Sequence, residues 1–170
     1  MARRILIVDD NETLAESLAE LLARRGFEAL AVCNVEAAQD HLEGGNIDLL
    51  LLDVDLGGES GATFLKRLWN SGFSLPTVLI TAHTASQMRE ELTAQRDQHV
   101  DILEKPISVT ALLEIMEQML ASAMASRARD GAAPRLLLSF TIEARLALTS
   151  PQEAPLLGPA HPLPRKGKRR

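Results

Sequence analysis

Five polar residues stand at or just beyond the ends of short apolar runs. Asp9 and Asp10 follow Ile5–Val8, Asp53 follows Leu49–Leu52, Thr81 follows Thr77–Ile80, and Lys105 lies just past Val100–Leu103. Three carboxylates drawn together repel, so one must be protonated or a divalent cation must sit among them. Oxygen ligands without nearby His or Cys suit Mg²⁺, which keeps several waters and takes only one or two carboxylates. An aspartate can also act as a nucleophile toward a phosphoryl group and form an aspartyl phosphate. That transfer is mostly positioning and charge neutralisation, and a cation, an ammonium and a hydroxyl are the parts it needs. Singly, each residue has an ordinary reading: Asp9 and Asp10 as helix caps, Asp53 as a loop acid, Thr81 as a turn residue, Lys105 as a surface charge. Capping preference does not account for all of them on consecutive strand ends.

The elements that must position these residues alternate. Ile5–Val8, Phe27–Val32, Ile47–Leu52, Thr77–Ile80 and Val100–Leu103 read as five strands, each followed by a helical pattern. Leu14, Leu18, Leu21 and Leu22 recur at helical spacing, with Glu12, Glu16 and Glu20 on another face and Gly26 as the stop. Val35–Leu42 is a shorter helix closed by Gly44 and Gly45. A third begins at Ser60 and Gly61 with Phe64, Leu65, Leu68 and Trp69 on one stripe. The segment after Ala82 is polar, with Met88 and Leu92 as its apolar points, and predicts a weakly packed helix. Ser108 can cap a last helix carrying Val109, Leu112, Leu113, Met116 and Leu120. Ile47 and four successive leucines, apolar on both faces, fit a strand covered on both sides. The expectation is an α/β fold: a doubly wound, five-stranded parallel sheet of order 2-1-3-4-5, flavodoxin-like, with its site at the carboxyl ends of strands 1 and 3.

Composition sets the frame. Of 170 residues 46% are hydrophobic but only 3% aromatic, so the core must be Leu, Ile, Val and Ala. The single cysteine, Cys33, excludes an internal disulfide, fits a reducing compartment and reads as a small buried hydrophobe. The basic–apolar start Arg3–Val8 is too short for a secretory signal, and no apolar run is long enough to span a bilayer, so a cytoplasmic protein without membrane contact is expected. Residues 1–126 carry 9 Lys/Arg and 20 Asp/Glu, net −11, whereas 127–170 carry 9 and 3, net +6. The acidic body argues against nucleic acid as its partner.

The pieces Ile5-Leu6-Ile7-Val8-Asp9-Asp10, Leu52-Asp53, Thr81-Ala82 and Lys105-Pro106, in that order and at that spacing, resemble the receiver domain of bacterial two-component response regulators. The resemblance covers about residues 3–122. It implies that Asp53 is the phosphoacceptor and a metal ligand, Asp10 the direct Mg²⁺ ligand, Asp9 a ligand through water, and Asp55 a ligand through its backbone carbonyl. It further implies that Thr81 is the switch hydroxyl, Ala82 a backbone donor to the phosphoryl group, Lys105 its cationic contact, and Lys105–Pro106 a cis bond. The implied partners are a sensor histidine kinase or histidine phosphotransfer protein and a downstream protein, met through the fourth helix, fifth strand and fifth helix, where Gln87, Arg96 and Glu104 would lie. Three departures stand out. Ile102 replaces the usual aromatic of the switch region, Gly57 replaces a common proline, and Asp55 and His83 occupy the two positions that tune phosphoryl lifetime.

Two other readings compete with a stand-alone receiver. One is a receiver-like binding module that signals without phosphorylation; loss of the strand-end acids would favour it, and all are present. The other is a Mg²⁺-dependent hydrolase with an aspartyl-phosphate intermediate, for which Asp53-Val54-Asp55 has the nucleophile and acid/base spacing but no insert to hold a substrate. After Met124 the helical pattern breaks. Pro134, Pro151, Pro155, Pro159, Pro162 and Pro164 and the basic run Arg165–Arg170 mark 127–170 as a disordered tail capable of weak contact with nucleic acid or an acidic partner.

Overall fold

The computed structural model describes residues 2–92 and 99–129, all within the compact unit Met1–Leu136. The elements run β1 (Arg4–Val8), α1 (Glu12–Ala23), β2 (Glu28–Val32), α2 (Val35–Glu43), β3 (Leu49–Asp53), α3 (Gly61–Asn70), β4 (Thr77–Thr81), α4 (Ala85–Leu92), β5 (Val100–Glu104) and α5 (Val109–Arg129). The strands form one parallel sheet of order β2-β1-β3-β4-β5, as expected.

Strand alternation divides the core into two layers. Leu6, Val8, Leu50, Leu52 and Leu79 meet Ala38, Leu42, Phe64, Leu65, Leu68, Met88 and Leu92 of α2, α3 and α4. Ile5, Ile7, Leu49, Leu51, Val78 and Ile80 meet Ala15, Leu18 and Leu22 of α1 and Leu112, Met116 and Leu120 of α5. The four leucines of β3 thus serve both layers, each 0% exposed. At roughly 1.5–3 kcal/mol for each such side chain, their burial holds β3 at the centre of the sheet.

Helix starts follow the side chains available. Asn11 Oδ1 accepts from Leu14 N at 3.1 Å, and Asn34 Oδ1 accepts from Ala37 N at 2.8 Å. Ser60 precedes α3 without a side-chain capping bond. Met88 and Leu92 of the polar α4 are both buried, so two apolar side chains seat it on the core.

Two expectations differ from the structure. Cys33 is exposed, not buried. It lies just past the end of β2, which has no strand on its outer side among the described residues, where the chain leaves the sheet. Helix α5 continues through Arg129 without a break at Met124. The residues there are mainly Ala, Arg and Ser; alanine and arginine are good helix formers, so the backbone persists after the apolar stripe ends. Met124 meets the Arg3 guanidinium. Arg96 and the rest of the expected tail lie outside the described residues. Among the described residues no helix is long and apolar enough to cross a membrane.

Candidate functional site: a three-carboxylate pocket closed by a lysine

The carboxyl ends of β1, β3, β4 and β5 meet at one edge of the sheet. Val8 pairs with Leu52, Asp53 with Ile80, and Thr81 with Glu104, so the residues that follow converge. Carboxylate oxygens of Asp9, Asp10 and Asp53 all lie within 4.8 Å of one another. Asp9 and Asp53 are each 1% exposed, whereas Asp10 is exposed. Asp53 follows Leu49 and Leu51 on the sheet face toward α1 and α5.

Lys105 closes the pocket. Its Nζ donates to Asp53 Oδ2 at 2.8 Å and lies 3.7 Å from Asp9 Oδ2. The Lys105–Pro106 bond is cis, as the resemblance implied. Asp9 Oδ1 accepts from Asn11 N at 2.9 Å. Two buried oxygens, Asp9 Oδ2 and Asp53 Oδ1, have no hydrogen-bond donor among the described residues. Burial raises the Asp9 pKa above the usual carboxylate range; the Asn11 amide opposes this, while the charge of Asp53 adds to it. For Lys105 burial pulls the pKa down, but the hydrogen bond and charge of Asp53, then Asp9 and Asp55, outweigh it and hold the ammonium above its ordinary value.

These shifts fix a pH dependence. Folded Asp9 holds its proton more tightly than the unfolded chain, so its contribution to stability is fully present below 3.8 and is lost as pH rises through its raised folded value. The Lys105 contribution is fully present below 10.5 and is lost as pH rises through its own raised value. Above that raised value, therefore, Asp9 is a destabilising buried charge. In metal-free buffer, Asp9→Asn is expected to gain melting temperature relative to wild type as pH rises. Thermal melts of the two proteins over a pH series from about 4 upward check this. A melting-temperature difference that stays constant or falls as pH rises would contradict it.

The other expected site residues lie on or just beyond the same strands. Thr81 is fully buried, and its Oγ1 accepts from His83 N at 2.9 Å and sits 3.4 Å from His83 Nδ1. Ala82 and His83 are exposed in the loop after β4, and Asp55 is exposed in the loop after β3. Ile102 is partly buried and packs against the α2–α3–α4 layer; Pro106 is exposed. Gly57 takes a positive φ of 66°, and a Cβ there would stand 3.2 Å from Asp10 Oδ2.

One supporting residue escaped the reading of the chain as anything but a helix start. A Cβ on Gly61 would overlap the Asp53 carbonyl oxygen and lie 3.0 Å from the Asp53 carbonyl carbon and 3.1 Å from Val54 Cα. Gly61 N also donates to Val54 O at 2.9 Å. Its only sequence signal was glycine at a first helical position, where it offers poor propensity.

An oxygen-only set with two undonated buried oxygens fits a small hard divalent cation. The fold, this pocket and the comparison with known families agree: the chain belongs to the response regulator receiver domain family, whose model matches residues 5–117. It is 31% identical over 131 residues to the response regulator protein FleR of Pseudomonas aeruginosa, covering 77% of this chain and 27% of FleR. It is 32% identical over 148 residues to the sensor histidine kinase GacS of Pseudomonas protegens, covering 84% of this chain and 16% of GacS. The chain thus spans under a third of either relative. The CheY-like response regulator receiver domain protein of Methanospirillum hungatei superposes with a TM-score of 0.66 at 20% identity, covering 74% of this chain and 99% of that one.

Proposed function

We propose that Asp53 accepts a phosphoryl group from a phosphohistidine of a sensor histidine kinase or histidine phosphotransfer protein, and that the chain signals by contact with a downstream protein. The observation that carries this reading is the 2.8 Å bond from Lys105 Nζ to Asp53 Oδ2 at the mouth of the three-carboxylate pocket. An Asp53 carboxylate oxygen forms the new P–O bond as the donor's N–P bond breaks, and the released imidazole nitrogen keeps the electron pair. Lys105 holds the carboxylate in place and neutralises charge on the transferred oxygens. Thr81 Oγ1 and the Ala82 amide supply further donors once Thr81 leaves His83. Asp10, Asp53, the Asp55 carbonyl and, through water, Asp9 would hold Mg²⁺. The ion there would neutralise phosphoryl charge and relieve the repulsion among the acids. The cytoplasm suits the lone exposed thiol.

Acetyl phosphate tests the reading without a cognate kinase. With Mg²⁺ we expect a single phosphoryl adduct by intact mass, stable in mild acid, lost in base and prevented by EDTA. Absence of the adduct overturns the proposal. Sustained release of phosphate from phosphomonoesters, lost in Asp55→Asn, would replace it with the hydrolase reading.

A further inference from the structure

Resting on that reading, we propose that Glu104 is a positioning residue whose carboxylate ties the start of α4 to the site, so that phosphorylation of Asp53 reaches α4 by loosening this tie. Glu104 Oε1 accepts from Ala85 N at 2.7 Å, across 19 residues of chain. Ala85 is the first residue of α4, and its amide is one of those that a helix cannot satisfy from within. The neighbouring Thr84 amide is met differently, by Gln87 Oε1 at 3.3 Å. The acid at the positive end of the helix also opposes the aligned peptide dipoles favourably.

The register connects this tie to the chemistry. Glu104 lies opposite Thr81 in the β4–β5 ladder, and Lys105 N donates to Thr81 O at 2.7 Å. Glu104 follows Ile102 on the face toward α4, while the adjacent Lys105 reaches Asp53. A phosphoryl group on Asp53 must occupy one carboxylate oxygen and enlarge the anion that Lys105 contacts. Lys105 then has to bond further out, and residues 104 and 105 move together because a peptide bond joins them. If Thr81 Oγ1 turns to the same phosphoryl group it gives up His83 N, and the chain between Thr81 and Ala85 shifts at its other end. A 2.7 Å bond between these two moving segments is released. Ile102 packs only through hydrocarbon and offers no polar group to exchange partners. Lys66 Nζ of α3 also meets α4, at Glu91 Oε1, but among the described residues Glu104 is the polar link from the strand end beside Lys105 to the start of α4.

Because the coupling is reciprocal, removing the tie must favour the phosphorylated arrangement. Beryllofluoride with Mg²⁺ is the probe, with wild type, Glu104→Ala and Glu104→Gln compared by titration and by the Ala85 amide resonance. Glu104→Ala is expected to bind beryllofluoride about fivefold more tightly, at the low end of typical coupling between sites. Glu104→Gln, which keeps an oxygen acceptor, should fall between. In wild type the Ala85 amide proton should start downfield and move on binding toward its position in Glu104→Ala. Affinities equal within twofold, or an Ala85 resonance unmoved by saturating ligand, would overturn the inference while leaving Asp53 as the acceptor. Absence of Asp53-dependent binding to wild type would overturn both.

Discussion

Asp53→Asn is expected to lower phosphoryl incorporation from acetyl phosphate to background, a loss on the order of 1,000-fold or more, as for removal of a nucleophile. The amide keeps the shape of the carboxylate and one oxygen that Lys105 Nζ can meet, so the pocket geometry survives. Its nitrogen lone pair is delocalised into the carbonyl, so neither terminal atom attacks phosphorus. The substitution also removes one of three mutually repelling charges, and a variant that simply unfolds is not the expected outcome. Intact mass after incubation, with a far-ultraviolet circular dichroism spectrum matching wild type, checks both halves. A phosphoryl adduct persisting in Asp53→Asn, mapped by peptide mass to Asp10 or elsewhere, would remove Asp53 from its assigned role.

Gly61→Ala is expected to be among the most damaging single-methyl additions in the described domain, lowering stability by about 3 kcal/mol. Two effects oppose each other. Alanine favours a helix by up to ~1 kcal/mol relative to glycine, which would stabilise α3. Against this, the new Cβ would overlap the Asp53 carbonyl oxygen, a backbone atom that cannot rotate away. Either α3 withdraws from β3, weakening the Gly61 N to Val54 O bond, or the end of β3 moves with the acceptor residue on it. Overlap outweighs propensity. Gly58→Ala is the control, since nothing lies within 4 Å of a Cβ there, and it should change stability by no more than about 0.5 kcal/mol. Urea denaturation of the two variants decides the matter: equal midpoints would mean that β3 and α3 separate without cost.

The contrast between these predictions shows what was legible in the chain. Asp53, Asp9 and Lys105 were visible because each ends or follows a short apolar run, and alternation of strands and helices left one sheet order for them to share. The same logic located Met88 and Leu92 as the docking points of an otherwise polar α4. Gly61 and Glu104 were not visible in their roles. The first depends on how closely a helix start approaches the preceding strand, and the second on a carboxylate meeting an amide 19 residues away. Neither leaves a periodic trace. Cys33 was misjudged because cysteine is usually inside, although the expected order 2-1-3-4-5 already put strand 2 at an edge, where the residue after the strand opens to solvent. The end of α5 was misplaced because apolar spacing marks where a helix packs, not where it stops.

That exposed thiol has a practical side. Cys33 follows Val32, whose ladder partner Val8 is followed by Asp9, so the sulfur stands at the same rim of the sheet as the acids. It is the sole cysteine of the chain. A fluorophore or spin label can therefore be attached at one known position, one strand from the pocket, without altering any residue. Such a label reports on the rim of the sheet beside the site with the sequence left unchanged.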